Sequence, residues 1–241
     1  MQLFYSKDIT LDAYCTLDGE ESRHAVRVLR LREGDELHVT DGCGRLYVCR
    51  IVTADDRACV VECNALLHTS HSPLLSLHLA VAPTKNPSRM EWLVEKAVEV
   101  GVGEITLLDC DHSERSFLKT ERLEKLAVSA MKQSLRTVLP AIHPAVSLKE
   151  WLSSFHFPHS TQKLIAHCEA DQPRTPLREA LEPGRDAVVL IGPEGDFSQE
   201  EIALALGKGF QPVSLGPSRL RTETAALYAV TAFNLINDHA L

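Results

Sequence analysis

The sequence predicts an α/β protein in which a small β-barrel precedes a largely parallel sheet covered by helices. Short β-branched or aromatic segments separated by turn residues fill the first part of the chain, up to about residue 70. Beyond Pro73, near-continuous apolar segments alternate with amphipathic ones, which is typical of strands and helices in an α/β sheet. The 241 residues suffice for two modest domains, and we expect them at 1–70 and 74–241.

The first domain is predicted from three short segments with strand composition. The Asp41-Gly42-Cys43-Gly44 element between the first two is a hairpin signal, because glycines supply the positive φ angles of tight turns. The predicted strands are 35–40 (DELHVT), 45–51 (RLYVCRI) and 58–63 (ACVVEC). Together they indicate a small barrel or sandwich.

The second domain is predicted from apolar strands and amphipathic helices that follow in turn. A strand over 75–82 is apolar throughout, which indicates burial on both faces. A helix is expected to begin at Ser88, with Glu91 completing a capping box, and to end at Gly101. The further strands are expected at 104–109, 163–167, 186–191 and 211–215, and the further helices over 119–135, from Ser198 and from about Thr222.

Composition and residue spacing indicate where in the cell the protein is expected and whether it is expected to bind a metal. The amino terminus lacks the features of a signal peptide, and the charge-free segment 64–84 contains histidines and a proline, so we interpret it as a linker into a strand. Seven scattered cysteines without a CxxC pair predict reduced thiols in the cytoplasm, and no membrane span is expected. The isolated histidines give no metal-binding pattern, so no metal is expected.

Net charge bears on nucleic acid. At −8 it argues against a nucleic-acid partner, because binding to the phosphate backbone depends on basic surface. Net charge averages over the chain, however, whereas binding takes place at a patch. Net charge alone therefore does not exclude a nucleic-acid partner.

The first candidate site is the loop 191–198 (IGPEGDFS), directly after a predicted strand. Two glycines allow a backbone to approach a ligand closely, and Ser198 with Glu201 would cap the next helix. A phosphate is disfavoured, because Glu194 and Asp196 would repel it and no P-loop lysine follows. The alternative is a structural turn from strand to helix.

The second candidate site is the loop 215–225 (LGPSRLRTETA), which also follows a predicted strand. Thr222 could cap the helix that follows, with Glu223 in its first turn. That interpretation leaves Arg219 and Arg221 at a helix amino terminus, where the dipole disfavours cations. An anionic partner would account for both arginines.

The third candidate is the basic stretch 22–32 (SRHAVRVLRLR), which contains no acidic residue. Arg23, Arg27 and Arg30 have helical spacing, so a helix would present them on one face. This stretch is either a solvated helix that covers the end of the barrel or a contact for the phosphate backbone.

Taken together, these segments resemble the 16S ribosomal RNA uracil-N3 methyltransferases of bacteria, which belong to the SPOUT class of S-adenosylmethionine enzymes. The resemblance rests on GPEGDFSQEE, LGPSRLRTETAAL, the KQSLR segment at 132–136, SERS at 113–116 and RHAVRVLRLREGD, and it covers essentially the whole chain. One departure is Asp196, where the family pattern GPEGGFS has glycine. Since aspartate tolerates a left-handed backbone better than most residues, we expect the loop to keep its shape.

The resemblance implies a PUA-like RNA-binding barrel, a SPOUT domain with a trefoil knot, a homodimer and S-adenosylmethionine as cofactor. The implied partner is 16S ribosomal RNA, either naked or within the small subunit. The cofactor-binding residues it implies are Ala166, His167, Ile191, Gly192, Pro193, Glu194, Gly195, Leu215, Gly216, Ser218, Leu220, Thr222 and Ala225. The implied RNA-binding residues are Arg23, His24, Arg27 and Arg30.

The chemistry that the resemblance implies needs a cation near the base, because uracil N3 carries a proton in neutral water. A cationic side chain near O2 or O4 would stabilise the anion that develops. Arg221 is the first candidate for this role and Arg115 the second. Glu223 is a candidate base, or it positions Arg221.

Two other functions are considered. A non-catalytic RNA-binding or ribosome-assembly factor on a degenerate SPOUT scaffold is favoured only by Asp196. A nucleotide-phosphate transferase would use the same loops, and the acidic GPEG loop disfavours it.

Overall fold

The computed structural model describes residues 2–69, 75–114, 118–154, 157–169 and 173–238. Its strands are β1 Leu3–Tyr5, β2 Tyr14–Thr16, β3 Glu36–Thr40, β4 Arg45–Thr53, β5 Val60–Thr69, β6 Leu77–Val81, β7 Glu104–Asp109, β8 Ala141–Ser147, β9 Gln162–Ala166, β10 Thr175–Pro176, β11 Ala187–Ile191 and β12 Gln211–Ser214. Its helices are α1 Gly19–Arg23, α2 Pro87–Val100, α3 Thr120–Gln133, α4 Leu148–Ser154, α5 Leu177–Ala180, α6 Gln199–Gly207 and α7 Thr222–Asn237, and a π-helical turn covers His24–Val28.

The contacts divide the chain into two compact units. The first unit consists of Met1–Leu74 with Val128–Leu139, and the second of Leu75–Ala127 with Pro140–Leu241. The sequence interpretation placed residues 128–139 with the second domain. No helix in the described part of the chain is long and apolar enough to cross a membrane.

The first unit contains a five-stranded sheet in the order β1-β3-β4-β5-β2. The predicted hairpin is present, because β3 and β4 pair antiparallel on either side of the DGCG turn. Gly42 has a φ of 74°, and a Cβ there would lie 2.9 Å from the Tyr5 ring, so only glycine fits this turn. Apolar side chains on one face of the sheet, such as those of Val39 and Val61, are fully buried.

Residues 128–139 complete the first unit through polar contacts. The Thr40 hydroxyl donates to the Thr137 carbonyl oxygen at 3.0 Å, and the Leu139 amide donates to the Gly42 carbonyl oxygen at 2.8 Å. The ammonium of Lys132 forms an ion pair with the buried carboxylate of Glu21.

The basic stretch does not form one continuous α-helix. α1 ends at Arg23, and the chain continues through the π-helical turn, in which the Leu29 amide donates to the His24 carbonyl oxygen at 3.0 Å. Arg30 then has a φ of 59°, which ends the helical path. The helix expected over this stretch is therefore interrupted before Arg30, and the single face for the three arginines stays a prediction.

The second unit contains a seven-stranded parallel sheet in the order β10-β12-β9-β11-β6-β7-β8. All five predicted apolar strands are present, and this confirms the α/β class. β11 lies between β9 and β6, and all five of its residues are buried. Because the strands are parallel, the loops that follow β9, β11 and β12 leave the same edge of the sheet. The knot implied by the resemblance stays a prediction.

Of the two capping boxes predicted in this unit, the structure has one, at the start of α6, and lacks the other, at the start of α2. α6 has the predicted capping box between Ser198 and Glu201. α2 begins earlier than expected, because Asn86 is its N-cap and Pro87 its first residue, so the prediction of a capping box at Ser88 is wrong. All seven cysteines lie in the described part of the chain and are free thiols.

Candidate functional site

A cavity of about 360 Å³ lies at the carboxyl edge of the parallel sheet. Three loops form its walls: they follow β9, β11 and β12. The lining residues are Ala166, His167, Cys168, Arg174, Ile191, Gly192, Pro193, Glu194, Asp196, Val213, Ser214, Leu215, Gly216, Ser218, Arg219, Leu220, Arg221, Thr222 and Ala225. This is the position at which open α/β sheets bind ligands.

In the loop after β9, His167 is buried and carries an unpartnered donor. Its Nδ1 accepts a hydrogen bond from the Glu169 amide at 3.2 Å. Burial lowers the pKa of His167 below its usual value, so the ring is neutral near pH 7 and carries its proton on Nε2. Nε2 has no hydrogen-bond partner among the described residues. A ligand acceptor in the cavity would satisfy it.

In the loop after β11, two glycines lie against close neighbours that leave little space for a side chain. A Cβ at Gly192 would lie 3.1 Å from the Phe197 ring, and a Cβ at Gly195 would lie 3.0 Å from the Cβ of His112. Glu194 is exposed, and its carboxylate accepts from the Lys85 amide at 3.1 Å. The loop thus contributes its backbone and the carboxylate residues Glu194 and Asp196 to the cavity wall.

Asp196, which stands where the family pattern has glycine, has a φ of 64°. This is the left-handed conformation that the sequence analysis expected aspartate to tolerate. Its carboxylate accepts from two amides, that of Phe197 at 2.9 Å and that of Cys168 at 2.6 Å. The side chain therefore joins the loop after β11 to the loop after β9.

In the loop after β12, Thr222 does not cap α7. The N-cap is Arg221, whose side chain makes no capping hydrogen bond. The buried Thr222 hydroxyl instead donates to the Gly192 carbonyl oxygen at 3.1 Å, so the capping interpretation is wrong. The exposed side chain of Arg221 lines the cavity. At this helix end, the positive dipole and the guanidinium together favour an anionic group.

Glu223 forms an ion pair that the sequence did not reveal. Its Oε1 lies 3.6 Å from Nη1 of Arg89 in the first turn of α2. Its Oε2 is buried and has no hydrogen-bond partner among the described residues. Glu223 does not line the cavity, although the neighbouring residue Thr222 does. The ion pair that the structure shows for Glu223 is therefore made with Arg89 rather than Arg221.

Most residues that the sequence proposed for cofactor binding come together in this cavity. All line it except Gly195, which holds the loop against His112. Arg115 falls outside the described residues. Sequence reasoning missed Cys168 and Arg174, although both follow a predicted strand at the carboxyl edge of the sheet, and this position could have indicated them.

The four residues proposed for RNA binding lie in the first unit. Arg23 and Arg30 are exposed, and Arg27 forms an ion pair with Asp56. His24 is half-buried against the Phe4 ring, with 5.5 Å between the centroids, and burial lowers its pKa. The exposed charge of this stretch therefore comes mainly from arginines.

Comparison with known proteins places both parts of the chain. Residues 70–234 match the RNA methyltransferase domain model, and residues 17–63 match the RNA methyltransferase PUA domain model. Ribosomal RNA small subunit methyltransferase E from Aquifex aeolicus is 32% identical, over 96% of this chain and 98% of that protein.

Two solved structures are similar to this chain over almost its whole length. A protein from Porphyromonas gingivalis described as a probable rRNA-methyltransferase is 41% identical, with a TM-score of 0.90 and all of both chains covered. Ribosomal RNA small subunit methyltransferase E from Neisseria gonorrhoeae, solved bound to S-adenosylmethionine, is 27% identical, with a TM-score of 0.79 and 98% of each chain covered.

Proposed function

The chain belongs to the ribosomal RNA small subunit methyltransferase E family, and from this we propose that it transfers a methyl group from S-adenosylmethionine to N3 of a uridine in 16S ribosomal RNA. The observation that carries the proposal is the cavity enclosed by the loops after β9, β11 and β12. Twelve of the thirteen residues proposed from the sequence for the cofactor line that cavity.

The chemistry of the cavity fits S-adenosylmethionine. This cofactor is a sulfonium cation with ribose hydroxyls and no phosphate, so carboxylates in the wall, from Glu194 and Asp196, are favourable to it. The unpartnered Nε2–H of His167 supplies a donor for a polar group of the ligand. When bound, the cofactor supplies an electrophilic methyl group. The backbone and side chains of the three loops would hold it.

Arg221 is the residue that we propose for charge stabilisation. Its guanidinium lines the cavity beside the amino terminus of α7. As uracil N3 loses its proton, negative charge spreads to O2 and O4, and a cation there stabilises the transition state. One well-placed donor contributes roughly 3 kcal/mol in comparable sites.

Glu223 is the residue that we propose for accepting the N3 proton. Its Oε2 is buried and has no hydrogen-bond partner among the described residues, so an incoming donor would satisfy it, and the neighbouring residue Thr222 lines the cavity. Arg89 pairs with the other oxygen, at 3.6 Å between its Nη1 and Oε1 of Glu223. The target base must be single-stranded or flipped to reach either residue.

The first unit is proposed to bind the RNA, since it carries the match to the PUA domain model and the basic stretch. We also infer a homodimer, as the resemblance implies, and a cytoplasmic location, as the scattered cysteines without a CxxC pair suggest.

A calorimetric titration with S-adenosylmethionine, followed by methyl transfer to 16S ribosomal RNA, tests the proposal. Heat of binding and methylation at uracil N3, located by mass spectrometry, are expected. A non-catalytic assembly factor would show neither. Ribosomal RNA from a deletion strain then identifies the uridine, and assays with naked RNA and with the small subunit identify the substrate.

Asp196, which favoured the non-catalytic alternative, keeps the loop in the expected left-handed conformation.

A further inference from the structure

The peptide group that links His167 to Cys168 is held at both of its polar atoms by charged side chains. Its carbonyl oxygen, on His167, accepts from Nη1 of Arg174 at 2.6 Å. Its N–H, on Cys168, donates to Oδ2 of Asp196 at 2.6 Å. All four residues line the cavity.

These two hydrogen bonds restrict the peptide strongly. Both involve an ionised partner and are short, and such bonds are about twice as strong as those between neutral groups. In a trans peptide the carbonyl and the N–H point in opposite directions, so Arg174 and Asp196 hold the group from opposite sides. Rotation of this peptide would break both bonds at once.

The Asp196 carboxylate, which accepts from the Cys168 amide, is itself held in place by neighbouring groups. The Asp196 amide donates to the Pro193 carbonyl oxygen at 3.0 Å, and Oδ1 accepts from the Phe197 amide at 2.9 Å. Nδ1 of His112 lies 3.2 Å from the carbonyl oxygens of both Gly195 and Asp196, and it can donate to them. The loop after β11 thus forms a rigid support for the loop after β9.

We propose that Arg174 and Asp196 are positioning residues that fix the His167–Cys168 peptide, and with it one wall of the cavity, for binding of the methyl donor. This inference rests on the proposed function. A glycine at position 196 has no carboxylate to offer the Cys168 amide, so this chain holds the wall by a contact that the glycine pattern cannot make. Replacing Arg174 or Asp196 is expected to weaken binding of S-adenosylmethionine rather than to slow methyl transfer, because neither side chain is proposed to act on the target uracil.

The test compares Asp196→Gly, Asp196→Asn and Arg174→Met by calorimetry with S-adenosylmethionine and by steady-state kinetics. Each variant is expected to raise the Kd and the KM for the donor about tenfold, with kcat changed less than about twofold. Asn tolerates the left-handed backbone but has one acceptor oxygen for the two amides and no charge, so it separates loss of the carboxylate from a change of backbone conformation. Faster hydrogen exchange at the Cys168 amide in both Asp196 variants is the direct structural readout.

A double variant decides whether the two side chains act through the same peptide. If they do, Arg174→Met combined with Asp196→Gly costs about as much as either change alone, roughly tenfold, because the peptide is already released. Effects that multiply to about a hundredfold would overturn the proposal. So would single variants that bind the donor as tightly as the wild type.

Asp186→Asn is the matched control. Asp186 also holds a backbone amide, that of Ser76 at 2.7 Å, but it immediately precedes β11 at the amino end of the sheet. Its replacement should lower the Tm and leave the Kd unchanged. If Asp196→Gly does not fold, Asp196→Asn and Arg174→Met still decide the question. Absence of binding heat in the wild type would reject the proposed function, a result distinct from failure of this inference.

Discussion

The buried hydroxyl of Thr222 donates to the carbonyl oxygen of Gly192, thirty residues away in sequence, at 3.1 Å. This bond ties the start of α7 to the loop after β11, and both residues line the same cavity. The shape of the cavity thus depends on a contact between two of its walls.

Thr222→Val should weaken donor binding, because the isosteric side chain keeps the packing but leaves the buried Gly192 carbonyl without this donor. A loss of about 1–3 kcal/mol in the free energy of unfolding and a roughly tenfold higher Kd for S-adenosylmethionine are expected. Denaturant unfolding and calorimetry measure the two quantities. Thr231→Val is the control, since that hydroxyl donates only within α7, to the Leu227 carbonyl oxygen. An unchanged Kd for Thr222→Val would show that the bond is not needed for the cavity.

Arg221→Ala should remove most of the methyl transfer while the fold and donor binding persist. Loss of one well-placed cation lowers kcat by roughly 100- to 1,000-fold. Single-turnover methylation measures the effect, and calorimetry confirms that the donor still binds. Turnover at the wild-type rate would take Arg221 out of the mechanism.

Glu223→Gln should lower kcat by roughly 100-fold or more near neutral pH, because the amide cannot accept the N3 proton. Activity of this variant should recover as the pH rises, since uracil then loses its proton to solvent. The measurement is kcat against pH for the wild type and the variant. Arg89→Met is the companion variant, and it should lower kcat less, because it removes only the partner of Oε1. Parallel pH profiles for wild type and Glu223→Gln would contradict a role as base.

Replacing Arg23, Arg27 and Arg30 together with alanine should weaken RNA binding and flatten its dependence on salt. Each phosphate that the variant no longer neutralises reduces the slope of log affinity against log salt by about 0.7 for single-stranded RNA. Arg27 already pairs with Asp56, so Arg23 and Arg30 should account for most of the change. Arg57→Ala, another exposed arginine of the first unit, is the control. A triple variant with the wild-type slope would leave this stretch a purely structural element.

Acid should destabilise the second unit through His78. Its Nε2 lies 2.7 Å from the Thr106 hydroxyl, its Nδ1 lies 3.3 Å from Glu104, and burial lowers its pKa to about 4. Since the unfolded pKa is near 6.5, the folded state binds fewer protons. Stability is therefore fully present above pH 6.5 and declines as the pH falls to 4, by up to about 3 kcal/mol.

Urea unfolding at several pH values in this range measures the decline for the wild type and for His78→Gln. The variant should lose less stability on acidification. Nearby His143 also faces Glu104, at 3.4 Å, and its charge acts on His78, so the difference between the two proteins reports His78 together with its interaction with His143. Equal declines would assign the acid sensitivity to other groups.

The parts of the fold that the sequence predicted are those in which burial leaves a strong pattern. The strand 187–191 was found because all of its residues are apolar and buried on both faces. β8 was missed because it is an edge strand that contains Pro144 and has no fully buried residue. The two-residue β10 carries no detectable periodicity.

Local signals predicted the candidate site better than they predicted its contacts. The glycine loops were visible because glycine allows close packing, as the position of Gly192 beside the Phe197 ring shows. The bonds from Thr222 to Gly192 and from Asp196 to Cys168 join segments far apart in sequence, so no local pattern encodes them. The start of α2 was misplaced because Ser88 and Glu91 match a capping box, although Asn86-Pro87 is the signal that the helix uses.

The inclusion of residues 128–139 in the first unit has a consequence for the nascent chain. About seventy residues are made between the end of β5 and Leu139, which at about 5–20 residues per second takes several seconds. Until then, the carboxylate of Glu21 lacks the ammonium of Lys132, and the Thr40 hydroxyl lacks the Thr137 carbonyl. The amino-terminal unit therefore completes its folding only after the beginning of the second unit has left the ribosome. A chain cut after residue 69 would expose a charge that the whole protein neutralises.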